Sequence, residues 1–261
     1  MIEFVKSRHA GDIYSIFLHD GSNFDFAWCP AGKFQRRHIT NIEFDLHPEK
    51  APWQTVQLTS GFWIATVPVT QFLWTQFMPK ETRLTYDSPN FPVVIRKWTD
   101  AILFCERFTK WLIGEKLISD NHVVTLPTDA QWEYACRAGT QTKWYFGDDI
   151  EQLDKHAWHS KNSNKSVHPA KSKLPNPWGL YDVFGNVAEW CLDNFHSHTI
   201  NDFLNSYMED PLYLSEYNSK ITRGGSVESP PHRCTTSIRY NIEMDNPYNE
   251  AVGIKVVILE S

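Results

Sequence analysis

The sequence lacks the features that would place it among secreted or membrane proteins. Its cysteines are an odd, scattered set without a CxxC pair, which argues against a disulfide framework and predicts free thiols in a reducing cytoplasm. No apolar run approaches the roughly 20 residues of a membrane helix. The first residues, MIEFVKSRHAGDIYSIF, lack the cationic start and apolar run of a secretory signal. We therefore expect a cytoplasmic protein that does not enter a membrane. The cysteines are Cys29, Cys105, Cys136, Cys191 and Cys234.

Positive charge is also scarce. The chain has 25 Lys and Arg residues against 31 Asp and Glu residues, a formal net charge of −6 at pH 7. Without a basic field to attract phosphates, we expect no nucleic-acid partner. Internal repeats are absent, and the prolines and glycines are spread along the chain. Because no linker is evident, we predict a single domain over residues 1–261.

Aromatic residues, in contrast, are plentiful, and the 11 Trp, 10 Tyr and 16 Phe can fill a large core. Near the start, two β-like runs flank HDGSN, where Asp20-Gly21 predicts a hairpin turn. The run GFWIATVPVT predicts a buried strand, followed by a short helix over TQFLWTQFM with Thr70 as its N-cap. Apolar residues at three- and four-residue spacing predict a second helix in KWTDAILFCERFTKWLIGEK, capped by Thr99 or Asp100.

The stretch LPTDAQWEYACRAG predicts the clearest helix. Thr128 and Gln131 form a capping box, Glu133 can pair with Arg137 one turn later, and Gly139 ends the helix. After residue 140 no helical period remains, and β-like pieces alternate with loops rich in Asn, Pro, Gly and Trp. The final runs SKITRGGS, TTSIRYNI and VGIKVVIL are typical of strands. This order predicts an α+β fold with much of the chain in loops.

Five ordered motifs resemble one family, that of the formylglycine-generating enzymes or sulfatase-modifying factors. The motifs are AWCPAGKF, GFWIATVPVTQFLWTQF, LPTDAQWEYACRAGT, AWHSKNSNKSVHPAKSKLPNPWGLYDVFGNVAEW, and ITRGGSVESPPHRCTTSIRY with VGIKVV. Together they span roughly residues 24–258. The resemblance implies a variant of the C-type-lectin-like fold with little regular secondary structure, which agrees with the α+β prediction.

The resemblance also implies a calcium site in the loop motif GLYDVFGNVAEW. Family members commonly bind calcium here, and the matching ligands are the side chains of Asp182 and Glu189 with the carbonyls of Gly185 and Val187. Calcium takes six to eight oxygen ligands and can hold irregular backbone in place. The alternative is that Asp182 caps the turn while Glu189 pairs with a buried arginine, for which Arg223 is one candidate.

A departure from the family pattern bears on catalysis. In formylglycine-generating enzymes, two cysteines lie three and eight residues beyond the serine of GGS and bind copper(I), which activates oxygen to oxidise a substrate cysteine. Counted from Ser226, these positions are Ser229 and Cys234. A hydroxyl is a hard, neutral ligand and a poor substitute for a thiolate. The enzymes also place histidine where this chain has Pro230 and tryptophan where it has Ala188. We therefore predict no copper and interpret Cys234 as a small core residue.

Arginines and histidines receive structural interpretations. Arg223 of RGGS is predicted to enter a buried charge pair, and Arg239 of SIRY to do the same for the next strand. Six histidines lie in predicted loops without a paired helical spacing, so we expect hydrogen-bonded or solvated rings rather than metal ligands. The six are His156, His159, His168, His196, His198 and His232.

The stretches VESPPHR and NIEMDNPYNEAV predict a binding face. They mix aromatic, proline and charged residues on predicted loops of a stable scaffold, a usual arrangement for recognition of a protein or peptide partner. The alternative is that these are ordinary solvated loops. The predicted contact residues are Glu228, His232, Tyr240, Asn241, Glu243, Asp245, Tyr248 and Asn249.

Three functions are compatible with these patterns. The favoured one is a non-catalytic binding module that uses its C-terminal loops. The second is an oxygen-dependent oxidase of the same family, acting on a peptide cysteine or a small molecule, with Ser226, Ser229 and Cys234 bordering the site. The third is an adaptor subunit whose partner supplies the activity. Sulfoxide synthases of the family add an iron-binding helical domain, for which this chain has no room. The oligomeric state stays open.

Overall fold

The structure, a computed structural model, describes residues 8–37, 53–79, 90–195, 207–245 and 251–260. Within these ranges, small sheets are joined by a few helices and by long loops, so the predicted α+β class is confirmed. No helix of the described ranges is long and apolar enough to cross a bilayer.

The strands are short and come from both ends of the chain. In chain order they are β1 (Ile13–Phe17), β2 (Asn23–Cys29), β3 (Gly32–Arg37), β4 (Trp53–Leu58), β5 (Phe62–Ala65), β6 (His122–Thr125), β7 (Ala188–Asn194), β8 (Tyr207–Glu209), β9 (Ser219–Arg223), β10 (Tyr240–Glu243), β11 (Val252–Gly253) and β12 (Val257–Glu260).

These strands form three sheets. An antiparallel sheet has the order β1-β2-β5-β12-β6, so the last strand lies between two early ones. A second sheet has the order β10-β9-β7-β11, and a third has the order β3-β4-β8. The predicted hairpin is confirmed, because β1 and β2 pair directly around Asp20 and Gly21, and Gly21 has a φ of 85°. The N-terminal and C-terminal motifs are thereby held in one sheet.

The first sheet separates two parts of the apolar core, because successive residues of a strand face opposite sides. In β5, Trp63 faces one cluster and Phe62 faces the other. In the first cluster, Phe104 stacks on Trp74 with ring centroids 5.1 Å apart. The second cluster is built around Trp132. The stretch predicted as a buried strand is therefore buried on both faces.

Helices cover these two sides. They are α1 (Gln71–Phe77), α2 (Trp98–Gly114), α3 (Asp129–Arg137) and α4 (Leu153–His156). The predicted N-cap of α1 is confirmed, since the Thr70 side chain accepts the N–H of Leu73. The predicted capping box of α3 is confirmed as well, because the Thr128 and Gln131 side chains bond each other's backbone N–H.

The predicted cap of α2 is wrong. The N-cap is Lys97, which makes no side-chain capping bond, and both Thr99 and Asp100 lie inside the first turn. A tertiary contact replaces the cap, because the N–H of Trp98 donates to the carbonyl of Met244 at 2.9 Å. Asp100 still suits the first turn, where its negative charge complements the helix dipole.

Long loops fill the chain between α3 and β7. Their backbone is held by buried amide side chains rather than by regular hydrogen bonding. Asn176, for example, donates to the carbonyls of Ala135 and Cys136 at 2.8 and 3.1 Å, while its Oδ1 accepts the N–H groups of Trp178 and Leu180. Such side chains satisfy polar backbone groups that would otherwise be costly to bury.

Candidate functional site

The turn that follows β9 contains the candidate site. Gly224 and Gly225 have φ values of 85° and 73°, a left-handed conformation that glycine adopts without strain. A Cβ at Gly225 would lie 2.9 Å from Cys234 Sγ and 3.2 Å from Ser229 Oγ. The structure therefore brings together Ser229 and Cys234, the two positions singled out in the sequence, against one glycine.

The two serines of this turn bond to its own backbone. Ser229 Oγ accepts the N–H of Ser226 at 3.0 Å, and Ser226 Oγ accepts the N–H of Glu228 at 3.2 Å. The N–H of Ser229 in turn donates to the carbonyl of Ser226. Local bonds of this kind stabilise turns. Both hydroxyls are thus engaged in holding the shape of the turn.

Cys234 lies beneath the turn and is fully buried, as predicted for a small core residue. Its carbonyl accepts the indole N–H of Trp144 at 2.5 Å, and Trp144 stacks on Phe146. Burial raises the pKa of the Cys234 thiol to about 12. A thiol with such a pKa is neutral at pH 7 and lacks the reactivity of a thiolate. All five cysteines are free and buried.

Of the predicted binding residues, those that the structure describes lie in this turn or beside it. Glu228 and His232 are exposed, and the backbone around His232 forms a short 3-10 helix over Pro231–Arg233. Tyr240, which is partly buried, donates its hydroxyl hydrogen to the carbonyl of Arg233 at 3.2 Å. This bond links the loop to β10 and places the two predicted stretches side by side.

The second predicted stretch is not wholly a loop. It begins inside β10, where Asn241 and Glu243 are exposed while Ile242 packs against the core. This alternation is the ordinary two-residue period of a strand. Asp245 follows the strand and is exposed. Tyr248 and Asn249 lie outside the described residues.

Glu189, one of the predicted calcium ligands, is buried in β7. Lys255 Nζ donates to its Oε1, and Trp132 Nε1 donates to its Oε2, each at 2.6 Å. The arginine named as an alternative partner, Arg223, is a backbone neighbour of Glu189 in the β7–β9 ladder, but its guanidinium contacts acids of α3. The prediction that Arg223 pairs with Glu189 is therefore wrong. The buried cation that contacts Glu189 is Lys255.

Asp182 shapes the loop that leads to β7. Its Oδ2 accepts the N–H of Lys171 at 2.9 Å, and its Oδ1 accepts Asn186 Nδ2 at 3.2 Å. These bonds match the predicted turn-capping role. Gly185 follows with a φ of 67°, and a Cβ there would lie 1.9 Å from the carbonyl oxygen of Trp158. Only glycine fits this approach of two backbones.

Electrostatics tie this loop to Lys255. Burial raises the pKa of Asp182 and of Glu189, and the positive charge of Lys255 opposes this rise. The effect of burial is larger, so both pKa values lie above their usual values. Val187, the fourth predicted ligand, is buried directly before β7. The four predicted ligands thus lie in segment 182–189, which joins the loop to the start of β7, and each carboxylate oxygen already accepts a hydrogen bond from this chain.

A second buried charge centre lies under α3. Glu133 pairs with Arg137 at 2.8 Å, as predicted, and also with Arg223 and Arg239. The predicted burial of Arg223 and Arg239 in charge pairs is therefore confirmed. Burial alone would raise the pKa of Glu133, but Arg137, Arg223 and Arg239 bring it below its usual value.

Asp129 is the other acid of this centre, and the sequence analysis did not find it. It lies 3.0 Å from Arg36, 2.8 Å from Arg239 and 2.9 Å from Arg223, the last contact lacking the alignment of a hydrogen bond. The signal that could have found it is the four-residue spacing of Asp129 and Glu133, which places both acids on one face of α3.

The described histidines agree with the prediction of hydrogen-bonded or solvated rings. His232 is exposed, whereas His196 and His198 lie outside the described residues. In the described part of the chain, no group of three or more His, Cys, Asp and Glu side chains is arranged to hold a metal ion. The remaining contacts are His156 with Tyr145, His159 with Asp154 and His168 with Ser163.

Comparisons with known proteins bear on this geometry. A family model described as "Sulfatase-modifying factor enzyme 1-like domain" matches residues 19–259. The formylglycine-generating enzyme of Thermomonospora curvata is 30% identical over 152 residues, which cover 54% of this chain and 46% of that enzyme. The match thus spans less than half the length of that relative.

Solved structures share the fold over nearly the whole chain. Treponema denticola variable protein 1 superimposes with a TM-score of 0.78 at 24% identity, covering 94% of this chain and 98% of that one. PvdO from Pseudomonas aeruginosa superimposes with a TM-score of 0.76 at 22% identity, covering 97% and 99%. At such identities the likeness establishes the fold alone. Because the family model covers most of the sequence, the chain belongs to the sulfatase-modifying factor enzyme 1-like family.

Proposed function

We propose that this chain is a non-catalytic member of its family and binds a protein or peptide partner through loop 226–234 and strand β10. The observation that carries the proposal is the chemistry at Gly225. One hydroxyl and one neutral, buried thiol stand where the resemblance to formylglycine-generating enzymes implies two thiolates.

This pair of side chains is poorly suited to copper(I), which prefers soft thiolate ligands. The Ser229 hydroxyl is protonated at neutral pH and holds the turn by accepting a backbone N–H. Burial of Cys234 disfavours its thiolate, so this thiol releases its proton less readily than an exposed cysteine does. A metal at this position would have to overcome this unfavourable deprotonation with a single soft ligand.

The surface beside the turn has properties of a recognition face. Strand β10 is the outer strand of its sheet among the described strands, and an outer strand can accept an extended peptide by backbone pairing. Glu243 and Asp245 are exposed at its end, and Glu228 is exposed on the neighbouring loop. Arg233 is exposed on the same loop as Glu228, so the negative charge is concentrated at Glu243 and Asp245, which favour a partner segment that carries basic residues.

Copper binding tests the non-catalytic part of the proposal. We expect wild type, titrated anaerobically with copper(I) against the chelator bicinchoninate, to take up no stoichiometric copper. Ser229→Cys should gain one copper because it restores a second thiol opposite Cys234. Ser166→Cys, which adds a thiol at an exposed position, is the matched control and should gain none. Stoichiometric copper in wild type that is lost in Cys234→Ala would overturn this part.

Peptide selection tests the binding part. A phage-displayed library of random peptides panned on immobilised wild type should enrich basic, extended sequences. Binding of an enriched peptide should fall about tenfold or more in the double variant Glu243→Lys/Asp245→Lys, because like charges then meet. Glu106→Lys, at an exposed position of α2, is the control. Equal binding by both variants would contradict the assignment of the face.

A second candidate function is an oxygen-dependent oxidase acting on a peptide cysteine or a small molecule. It is favoured by the meeting of Ser226, Ser229 and Cys234 around Gly225. Aerobic incubation of the pure chain with copper(I) and a cysteine-containing peptide separates the two functions. Aldehyde in the peptide by mass spectrometry would select the oxidase, whereas unchanged peptide supports the binding module.

A further inference from the structure

Lys255 is a fully buried lysine in the segment between β11 and β12. Burying an ammonium costs several kcal/mol unless an opposite charge and hydrogen bonds compensate it. The compensation here comes from Glu189, whose Oε1 lies 2.6 Å from Lys255 Nζ. Register places them together, because β11 pairs in parallel with β7 and sets Gly253 opposite Glu189.

The influence of this ammonium extends beyond Glu189. Asp182 also feels its positive charge, although the two oxygens of Asp182 bond to the backbone N–H of Lys171 and to Asn186. Glu189 thus contacts the ammonium directly, whereas Asp182 is influenced by its charge without contacting it. They are also the two acidic side chains that the family resemblance assigns to calcium.

We propose that the Lys255 ammonium occupies the cation position of segment 182–189, in place of the calcium ion that the resemblance implies. A calcium ion on the same carboxylates would lie close to the ammonium and be repelled by it. It would also have to displace the indole of Trp132 and the amide of Asn186 from the carboxylate oxygens. The chain supplies its own cation, and that cation ties the C-terminal strands to the loop.

Removing the ammonium should open the position to calcium. In Lys255→Met, the side chain keeps its length and loses its charge, so Asp182 and Glu189 are left without a cation. We expect the melting temperature of this variant to fall in EDTA and to rise by about 5 °C or more in about 10 mM calcium. Wild type should melt at the same temperature in EDTA and in calcium, and isothermal titration should detect no calcium binding.

A second buried lysine gives a matched control. Lys220 Nζ donates to the carbonyl of Leu192 and to Asn194 Oδ1, both neutral oxygens. Lys220→Met should therefore lose stability and show no response to calcium. A loss of the calcium response in the double variant Lys255→Met/Glu189→Gln would further tie it to this loop.

Each result of these calcium measurements either supports the proposal or overturns it. Calcium binding by wild type, or a folded Lys255→Met variant that is indifferent to calcium, overturns the proposal. If Lys255→Met folds only when calcium is present, the proposal is supported. If that variant folds under neither condition, the wild-type measurement decides, because indifference of wild type to calcium supports the proposal and binding overturns it.

Discussion

Two pairs of buried carboxylates, one on helix α3 and one that Trp132 of α3 contacts through Glu189, are neutralised in opposite ways. Asp129 and Glu133, on α3 itself, are surrounded by four guanidinium groups. Asp182 and Glu189 have the single ammonium of Lys255. The first pair therefore has an excess of positive charge and the second an excess of negative charge.

The protonation of the two pairs follows this balance. Burial raises the pKa of every one of these acids, but the arginines overcome it at Asp129 and Glu133, whose pKa values end below their usual range. At Asp182 and Glu189 burial prevails, and the pKa values end above it. Asp129 and Glu133, which have more arginines than acids around them, therefore stay ionised and hold the surrounding structure together. Asp182 and Glu189, which outnumber their one lysine, are stabilised by a cation.

One side chain contacts an acid of the second pair and an arginine that neutralises the first. Trp132 donates its indole N–H to Glu189, and the guanidinium carbon of Arg223 lies 4.8 Å from the centroid of its ring. Helix α3 thus carries Asp129 and Glu133 on one face and sends Trp132 to the other pair. Substitutions at either pair, or at Trp132 between them, test these two modes of neutralisation.

The largest effect is expected at the arginine-rich pair. Asp129→Asn removes the charge that Arg36, Arg223 and Arg239 share, and it leaves buried guanidinium groups with one acid fewer. Breaking a buried ion pair from one side costs about 3–5 kcal/mol. Urea denaturation should show a loss of that size or a failure to fold. Asp120→Asn, at an exposed turn, should change little. An equally small loss in Asp129→Asn would contradict the structural role of this pair.

The second-largest loss of unfolding free energy is expected at Trp132, which lies between the two pairs. Trp132→Phe leaves Glu189 Oε2 without its donor, and hydrogen bonds to charged groups are worth about 1.5–3 kcal/mol. Trp144→Phe is the matched control, because that buried indole donates to the neutral carbonyl of Cys234, a bond worth about 0.5–1.5 kcal/mol. Urea denaturation of both variants measures the difference. Equal losses would show that the charge of Glu189 does not strengthen its bond to the indole.

A further buried carboxylate, Asp193 of β7, adds a pH dependence. It accepts the N–H groups of Asp129 and Tyr213 at 2.7 and 3.0 Å. Burial, and then the charge of Asp129, raise its pKa to about 6. The folded chain thus binds a proton more readily than the unfolded chain, whose aspartates have a pKa near 3.9. This group makes stability fall as pH rises from about 4 to about 6.

Asp193→Asn tests that pH dependence. The variant should lose this part of the fall in unfolding free energy, measured by urea denaturation at several pH values across the same window. The exposed Asp120→Asn should keep the wild-type profile. A profile in Asp193→Asn that is parallel to wild type would show that Asp193 is not the group that titrates.

The sequence was sufficient to predict features that depend on residues close together along the chain. The caps at Thr70 and Thr128 and the pair of Glu133 with Arg137 each involve residues within four positions, so their spacing alone carries the signal. The proximity of Ser229 and Cys234 could also be predicted, because the family pattern defines both positions. The cap of α2 failed because a distant carbonyl, that of Met244, took its place.

Most partners of the buried charged residues could not be predicted from the sequence. Asp129 meets Arg36 across 93 positions and Arg239 across 110, and Lys255 meets Glu189 across 66. No local period links such residues, since sheet register brings them together. The sequence therefore indicated that buried partners were needed, whereas only the fold decides which residues they are.

The smallest expected effect concerns the start of α3. Thr128→Ala removes the side-chain oxygen that accepts the N–H of Gln131 at 3.1 Å, and loss of such a cap costs about 1 kcal/mol. Thr128→Ser keeps the oxygen and should remain close to wild type in urea denaturation. Because ion pairs at Asp129 and Glu133 and the indole of Trp132 also hold α3, the alanine variant should lose no more than a cap is worth. A loss as large as that of Asp129→Asn would mean that the cap, and not the two carboxylate pairs, sets the position of the helix.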